Sequence, residues 1–132
     1  MTEKQKELLL RDLCGRLPYG VIVKDRNGVH ELTAGNTEFT DLLYNSKCNI
    51  KPYLFPLSSM TDEQWNNAPR VNLTDFTFES LKCGCFTLAS YTCENNLHDL
   101  LEFINWCYKN HFDYRGLIPM GLAIDATNKN IY

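Results

Sequence analysis

The residues best suited to chemistry are Cys83-Gly84-Cys85 and the pair Cys107 and His111. Two cysteines separated by one residue point to the same side of a strand, and residues four apart share a helix face. The four side chains therefore offer the donor types of a tetrahedral zinc site. Their spacing departs from the usual structural zinc pattern, whose knuckles enclose two or more residues, and cysteine is among the most buried small side chains. The expectation is buried, reduced thiols and no cofactor. The alternative is a zinc-stabilised domain, or a small thiol or metal-dependent enzyme, built on Cys83, Cys85, Cys107 and His111. A nucleophilic cysteine would need a lowered pKa, exposure and a nearby histidine. Cys14 ends a helix whose dipole opposes a thiolate, Cys107 sits late in another, and Cys48 and Cys93 have no local histidine.

The stretch "HFDYRGLIPMGLAID", residues 111 to 125, crowds an imidazole, a carboxylate, a phenol and a guanidinium together before turning apolar. Asn110 or His111 ends a helix here, Asp113 can cap the next turn, and Gly116 permits a sharp bend. Leu117, Ile118, Met120 and Leu122 then re-enter the core. The cluster reads as a hinge between two buried elements, with Arg115 paired to Asp113 or to helix-end carbonyls. Tyrosine and arginine are also favoured at interface hot spots, which makes Tyr114 and Arg115 candidate contacts for a partner. Elsewhere, carboxylates such as Asp99 and Glu102 stand at ordinary helix-surface spacing. There is no Gly-rich phosphate cradle, G-x-S-x-G or H-E-x-x-H, so no catalytic residue is assigned.

The elements that must position these groups follow from periodicity and punctuation. Thr2 with Gln5 forms a capping box for a first amphipathic helix, with Gly15 and Pro18 as its stop signals. "YGVIVKDRNGVHELT" reads as a β-hairpin turning at Asn27-Gly28. Residues 36–50 fit either a third strand or one helical turn. "IKPYLFPLSSM" carries Pro52 and Pro56 and is expected to cross the surface as a rigid extended segment, presenting Tyr53, Leu54, Phe55 and Leu57. Those side chains either plug the core or form a recognition patch. Thr61 and Gln64 box a short helix that Pro69 ends. Residues 71 to 93 suggest one or two strands. From Asn95 or Asn96, a helix puts Leu97, Leu100, Leu101, Ile104 and Cys107 on one face.

These elements give an α+β class over residues 1–132. The expected architecture is a single compact domain with a small, mostly antiparallel sheet packed against an N-terminal helix and a longer C-terminal helix. The 132 residues, 44% hydrophobic and 22% charged, suffice for one core. A net charge of -3 with 13 scattered Lys and Arg disfavours nucleic acid as a partner. The longest apolar run near the start, Leu8 to Leu10, is far short of the about 7 to 15 residues of a signal peptide or the about 18 of a membrane span. A cytoplasmic location without membrane contact is therefore expected. In that setting the six cysteines stay reduced and the sequon Asn72-Leu73-Thr74 is fortuitous.

Three segments, "RDLCGRLPYGVIV", "KPYLFPLSSMT" and "HFDYRGLIPMGLAID", occur in this order and carry a resemblance along nearly the whole chain. The chain resembles a widespread family of small uncharacterised proteins of gut bacteria and their phages or mobile elements, departing from its pattern at residues 71–82. The resemblance implies a cytosolic, single-domain accessory protein and transfers no catalytic residue. The expected function is the non-enzymatic binding of a macromolecule, a host protein or a second copy of the chain, with Tyr53, Phe55, Tyr114 and Arg115 as contacts.

Overall fold

The computed structural model describes residues 1–44, 49–71, 77–83 and 97–132. Cys48, Cys85, Cys93, the sequon and the strand-like "CFTLASYT" lie outside them. Threonine opens three helices by one device. In α1 (Glu3–Arg16), α3 (Asp62–Asn67) and α4 (Phe78–Lys82), the hydroxyl of Thr2, Thr61 or Thr77 accepts the amide of Gln5, Gln64 or Ser80. Each of those side chains returns a bond to the threonine amide, so two otherwise unpartnered donors are satisfied together. α4 occupies part of the 71–93 range expected to hold one or two strands, most of which lies outside the described residues; Thr77 is boxed by Ser80, and Leu81 is buried from a single turn.

α1 does not stop at Gly15. It runs through Arg16 into a 3-10 turn at Leu17–Tyr19, and the left-handed break falls on Gly20, with φ 72°. Gly15 has a different use. A Cβ there would lie 2.4 Å from Cζ of Tyr108, so only a hydrogen lets that ring rest on the helix.

α2 (Thr37–Tyr44) resolves the ambiguity over residues 36–50 in favour of a helix for its first half. β1 (Ile22–Asp25) and β2 (Gly28–Glu31) form the hairpin, pairing Asp25 with Gly28 and Val23 with His30. The positive φ of the turn falls on Gly28 (103°) and not on Asn27, so the glycine is the left-handed residue after the tight turn.

β3 (Lys51–Pro56) corrects the reading of "IKPYLFP" as a surface crossing, because it is the hub of the sheet. It pairs antiparallel with β1 and parallel with the two-residue strands β4 (Phe112–Asp113) and β5 (Ile124–Asp125). The five-stranded sheet is thus mixed, its antiparallel ladders on β1 and its parallel ones at the far end of β3. Prolines are tolerated at such a hub because of backbone alternation. The Leu32 amide donates to the Val21 carbonyl, which turns the polar groups of Val21 and Val23 toward β2. Pro52 stands opposite Val23 and therefore forfeits no ladder bond there.

One further group closes the sheet. Ile22 and Tyr53 would be the next pair in the β1–β3 register. The Tyr132 hydroxyl sits between them, accepting from the Ile22 amide at 2.9 Å and donating to the Tyr53 carbonyl at 2.8 Å.

α5 (Leu97–Lys109), with 13 residues against the 14 of α1, buries Leu100, Phe103, Cys107 and Tyr108. The expected stripe is shifted: Leu101 is 50% exposed and Phe103 is fully buried. Two apolar clusters result. One joins α5 to α3, α4 and Phe112; the other joins α1 and α2 to β1, β3 and Leu117. The class is α+β as expected, but the sheet is mixed rather than mostly antiparallel, and the C-terminal helix is not the longer one. No helix among the described residues is long and apolar enough to cross a membrane.

Candidate functional site

The polar residues of "HFDYRG" meet those of α1 in a buried network. Asp12 and Arg16 are fully buried one helical turn apart. Arg16 Nε donates to Asp12 Oδ2 at 2.6 Å and its Nη2 donates to the Phe112 carbonyl, also at 2.6 Å. Arg115 Nε lies 3.4 Å from Asp12 Oδ1, within ion-pair distance but not aligned as a hydrogen bond. Arg115 Nη2 donates to the Tyr108 hydroxyl at 2.9 Å, which shares a 2.8 Å bond with the Tyr114 hydroxyl. Arg16 stands 5.2 Å over the Tyr108 ring and Arg115 4.8 Å over that of Tyr114. One carboxylate thus faces two guanidinium groups, and the Phe112 carbonyl and the Tyr108 hydroxyl each accept a further guanidinium donor, while Arg16 Nη1 and Arg115 Nε have no hydrogen-bond partner among the described residues. Burial pushes the Tyr114 phenol strongly upward, and its bond to Tyr108 adds to this, so it stays protonated.

Asp113 performs the capping role expected of it, accepting the amides of Leu117 at 2.8 Å and Ile118 at 2.9 Å. Burial raises its pKa more than those two amides lower it. Arg115 does not pair with Asp113; Asp113 is committed to backbone, and Asp12 is the carboxylate that Arg115 reaches. The network thus staples α1 to the end of α5 and to the strand that follows. Removing one partner of a buried ion pair typically costs about 3–5 kcal/mol.

The four expected contact residues are therefore distributed unevenly. Tyr53 and Tyr114 are buried, at 7% and 6% exposure, and the Arg115 side chain is 17% exposed. Phe55 is half-buried and opens onto a recess of about 200 Å³ lined by Phe55, Phe112, Ser59, Thr61, Gln64, Thr127 and Asn128. Its floor is the tilted Phe55–Phe112 pair, centroids 6.3 Å apart. Its rim carries hydroxyl and amide groups from the start of α3 and the turn after β5, and no lining residue is charged. Tyr132 backs Phe55 at 5.9 Å and stacks on His111 at 3.6 Å.

Of the zinc candidates, Cys83 is exposed at the end of α4, Cys107 is fully buried, and Cys85 lies outside the described residues. Burial pushes the Cys107 thiol strongly up, well away from a thiolate. His111 adopts a left-handed φ of 63°, and burial, with Arg16 nearby, lowers its pKa to about 4. Among the described residues no three His, Cys, Asp or Glu side chains converge as metal ligands.

One cluster escaped sequence reasoning. His30 Nε2 faces Asp25 Oδ2 at 2.7 Å and its Nδ1 faces the Glu31 carbonyl at 3.0 Å. The Asn27 amide and Asn36 Nδ2 also donate to the Asp25 carboxylate. The Glu31 carbonyl and then Asp25 raise the His30 pKa. For Asp25, burial works upward but is outweighed by donation from His30, Asn27 and Asn36, so its pKa falls. The signal was the hairpin register: Val23 faces His30 and Asp25 faces Gly28, which sets Asp25 and His30 diagonally on one face. Both ring nitrogens face acceptors, and Asn36 Nδ2 lies 3.4 Å from Nε2, so the ring is fixed in place by the cluster.

No family model, no curated protein and no solved structure matches this chain.

Proposed function

We propose that this protein is a non-enzymatic cytoplasmic accessory domain that binds a partner protein at the Phe55–Phe112 recess. The setting implied by its resemblance, gut bacteria and their phages or mobile elements, belongs to the same proposal. The observation that carries it is the make-up of the recess: an aromatic floor, a rim of neutral hydroxyls and amides, and no charge. At about 200 Å³ it falls below the about 300–1,000 Å³ of clefts that enclose a small-molecule ligand. That size and polarity suit one large apolar side chain of a partner, with its neighbouring backbone bonding to the rim. Phe55 makes direct contact in this reading, while Tyr53, Tyr114 and Arg115 stand behind it and hold β3 and β4 in place.

The test fills the recess without removing a buried side chain. Thr127 is exposed on its rim, so Thr127→Trp should occlude it, and Val29→Trp on the exposed hairpin serves as control. A partner captured from host lysate, then purified and titrated against the three proteins, should bind wild type and the Val29 variant alike and lose at least tenfold in affinity for Thr127→Trp. Equal affinity for all three, or loss of binding only on nuclease treatment, would refute the proposal.

A further inference from the structure

A second surface, at the opposite end of β3, has the makings of an anion site. Lys24 on β1 and Lys51 on β3 are directly opposed in the antiparallel register. Like charges facing each other across a ladder destabilise a sheet, and opposite charges at such a pair would stabilise it. The arrangement is the more conspicuous in a chain whose net charge is -3. Neither ammonium has an ion pair or side-chain hydrogen bond among the described residues. Two surface arginines do have one, Arg11 with Glu7 and Arg26 with Asp41; what sets the two lysines apart is their direct opposition across the ladder.

Both lysines line an open recess of about 210 Å³ together with Asp25, Asn49 and Ile124. Asp25 is the one carboxylate among the residues lining this recess, and it does not serve as their counter-ion. Successive strand residues point to opposite faces, and the Asp25 side chain is fully buried and held by His30, the Asn27 amide and Asn36. Ile124 pairs in register with Tyr53, two residues from Lys51, so it stands on the same face as the two lysines and is half-buried. The recess therefore combines two uncompensated positive charges, one neutral amide in Asn49, and an apolar wall.

We propose that Lys24, Lys51 and Asn49 bind a phosphate dianion carried on a small molecule, with Ile124 against its organic part. Two opposed ammonium groups match a dianion better than the single charge of a carboxylate, and Asn49 supplies a further donor. The site is separate from the Phe55 recess, so either proposal can fail alone.

The test uses the intact chain, with inorganic phosphate and phenyl phosphate as probes and sodium chloride at matched ionic strength as control. Backbone amide shifts of residues 24, 25, 49–51 and 124 should move with phosphate and not with chloride. Phenyl phosphate should bind more tightly than phosphate, and Ile124→Ala should erase the difference. Lys24→Gln and Lys51→Gln should each weaken binding about tenfold, equivalent to about 1.4 kcal/mol. Their unfolding midpoints should be unchanged or raised, because repulsion across the ladder is relieved, a readout a merely structural lysine would move the other way. If inorganic phosphate alone binds, the dianion proposal stands and the role of Ile124 falls. Shifts reproduced by chloride, or a Lys24→Gln/Lys51→Gln double variant that binds like wild type, would overturn it.

Discussion

Replacing Gly15 with alanine sets two effects of opposite sign against each other. Alanine is favoured over glycine within a helix by about 0.5–1 kcal/mol, and Gly15 lies inside α1, one residue from its end. The new methyl, however, would lie 2.4 Å from Cζ, 2.5 Å from Cε2 and 2.8 Å from the hydroxyl of Tyr108. Ordinary contact begins near 3.4 Å, so the ring must retreat by about an ångström. It is poorly placed to do so, since its hydroxyl is bonded to both Tyr114 and Arg115. Overpacking costs about 1–3 kcal/mol, and losing a hydrogen bond to a charged group about 1.5–3 more. A net loss of about 2–5 kcal/mol is expected, or roughly 8–20 °C in Tm for a domain of this size. Urea unfolding of Gly15→Ala, Tyr108→Ala and the double variant measures it. In the Tyr108→Ala background the clash is gone, and Gly15→Ala should stabilise by about 0.5–1 kcal/mol. Stabilisation of the wild type, or the same shift in both backgrounds, would refute the assignment of Gly15 to ring clearance.

Tyr132→Phe removes the hydroxyl that joins Ile22 to Tyr53 while keeping the ring on His111; a loss of about 1–2 kcal/mol is expected, and amide exchange at Ile22 should accelerate. The pKa values of His30 and His111 should shift in opposite directions, which imidazole NMR reads directly. His111, near pKa 4 when folded against about 6.5 unfolded, binds fewer protons than the unfolded chain between those values, so stability rises with pH across that window. His30, with a raised folded pKa, contributes stability that is fully present below about 6.5 and lost as pH rises through the folded value. Asp25, lowered, contributes above about 3.9 and loses it as pH falls through its folded value, so the hairpin cluster is tightest between about pH 4 and 6.5. A His111 pKa above that of His30 would overturn both assignments.

Local chemistry was legible in the sequence where a residue's partners lie within a few positions. The Thr2–Gln5 and Thr61–Gln64 boxes, the hairpin and the capping role of Asp113 all belong to this class. What failed depended on distant neighbours. Gly15 looked like a stop signal because its reason for being glycine, Tyr108, lies far along the chain. Pro52 and Pro56 argued against a central strand because the alternation of β1 that makes Pro52 harmless is a tertiary fact. In "HFDYRG" the polar residues read as a hinge, yet the charge partner of Arg115 is Asp12, about a hundred positions earlier in the sequence. Leu101 and Phe103 could not be ranked by hydrophobicity, since only the placement of α5 decides which one is buried.

The hydroxyl bridge between β1 and β3 also bears on how the chain acquires its structure during synthesis. Ile22 emerges early, but the group that accepts its amide belongs to a residue 110 positions later. At about 5–20 residues per second, roughly 5 to 20 seconds separate their appearance. The bond between Arg16 and the Phe112 carbonyl, spanning 96 positions, has to wait almost as long. Through that interval the hairpin and α1 can form locally, while the edge of β1 beside Ile22 stays open to other strands. Contacts of such separation slow folding, so the nascent protein is expected to be most prone to mispairing until Tyr132 has emerged.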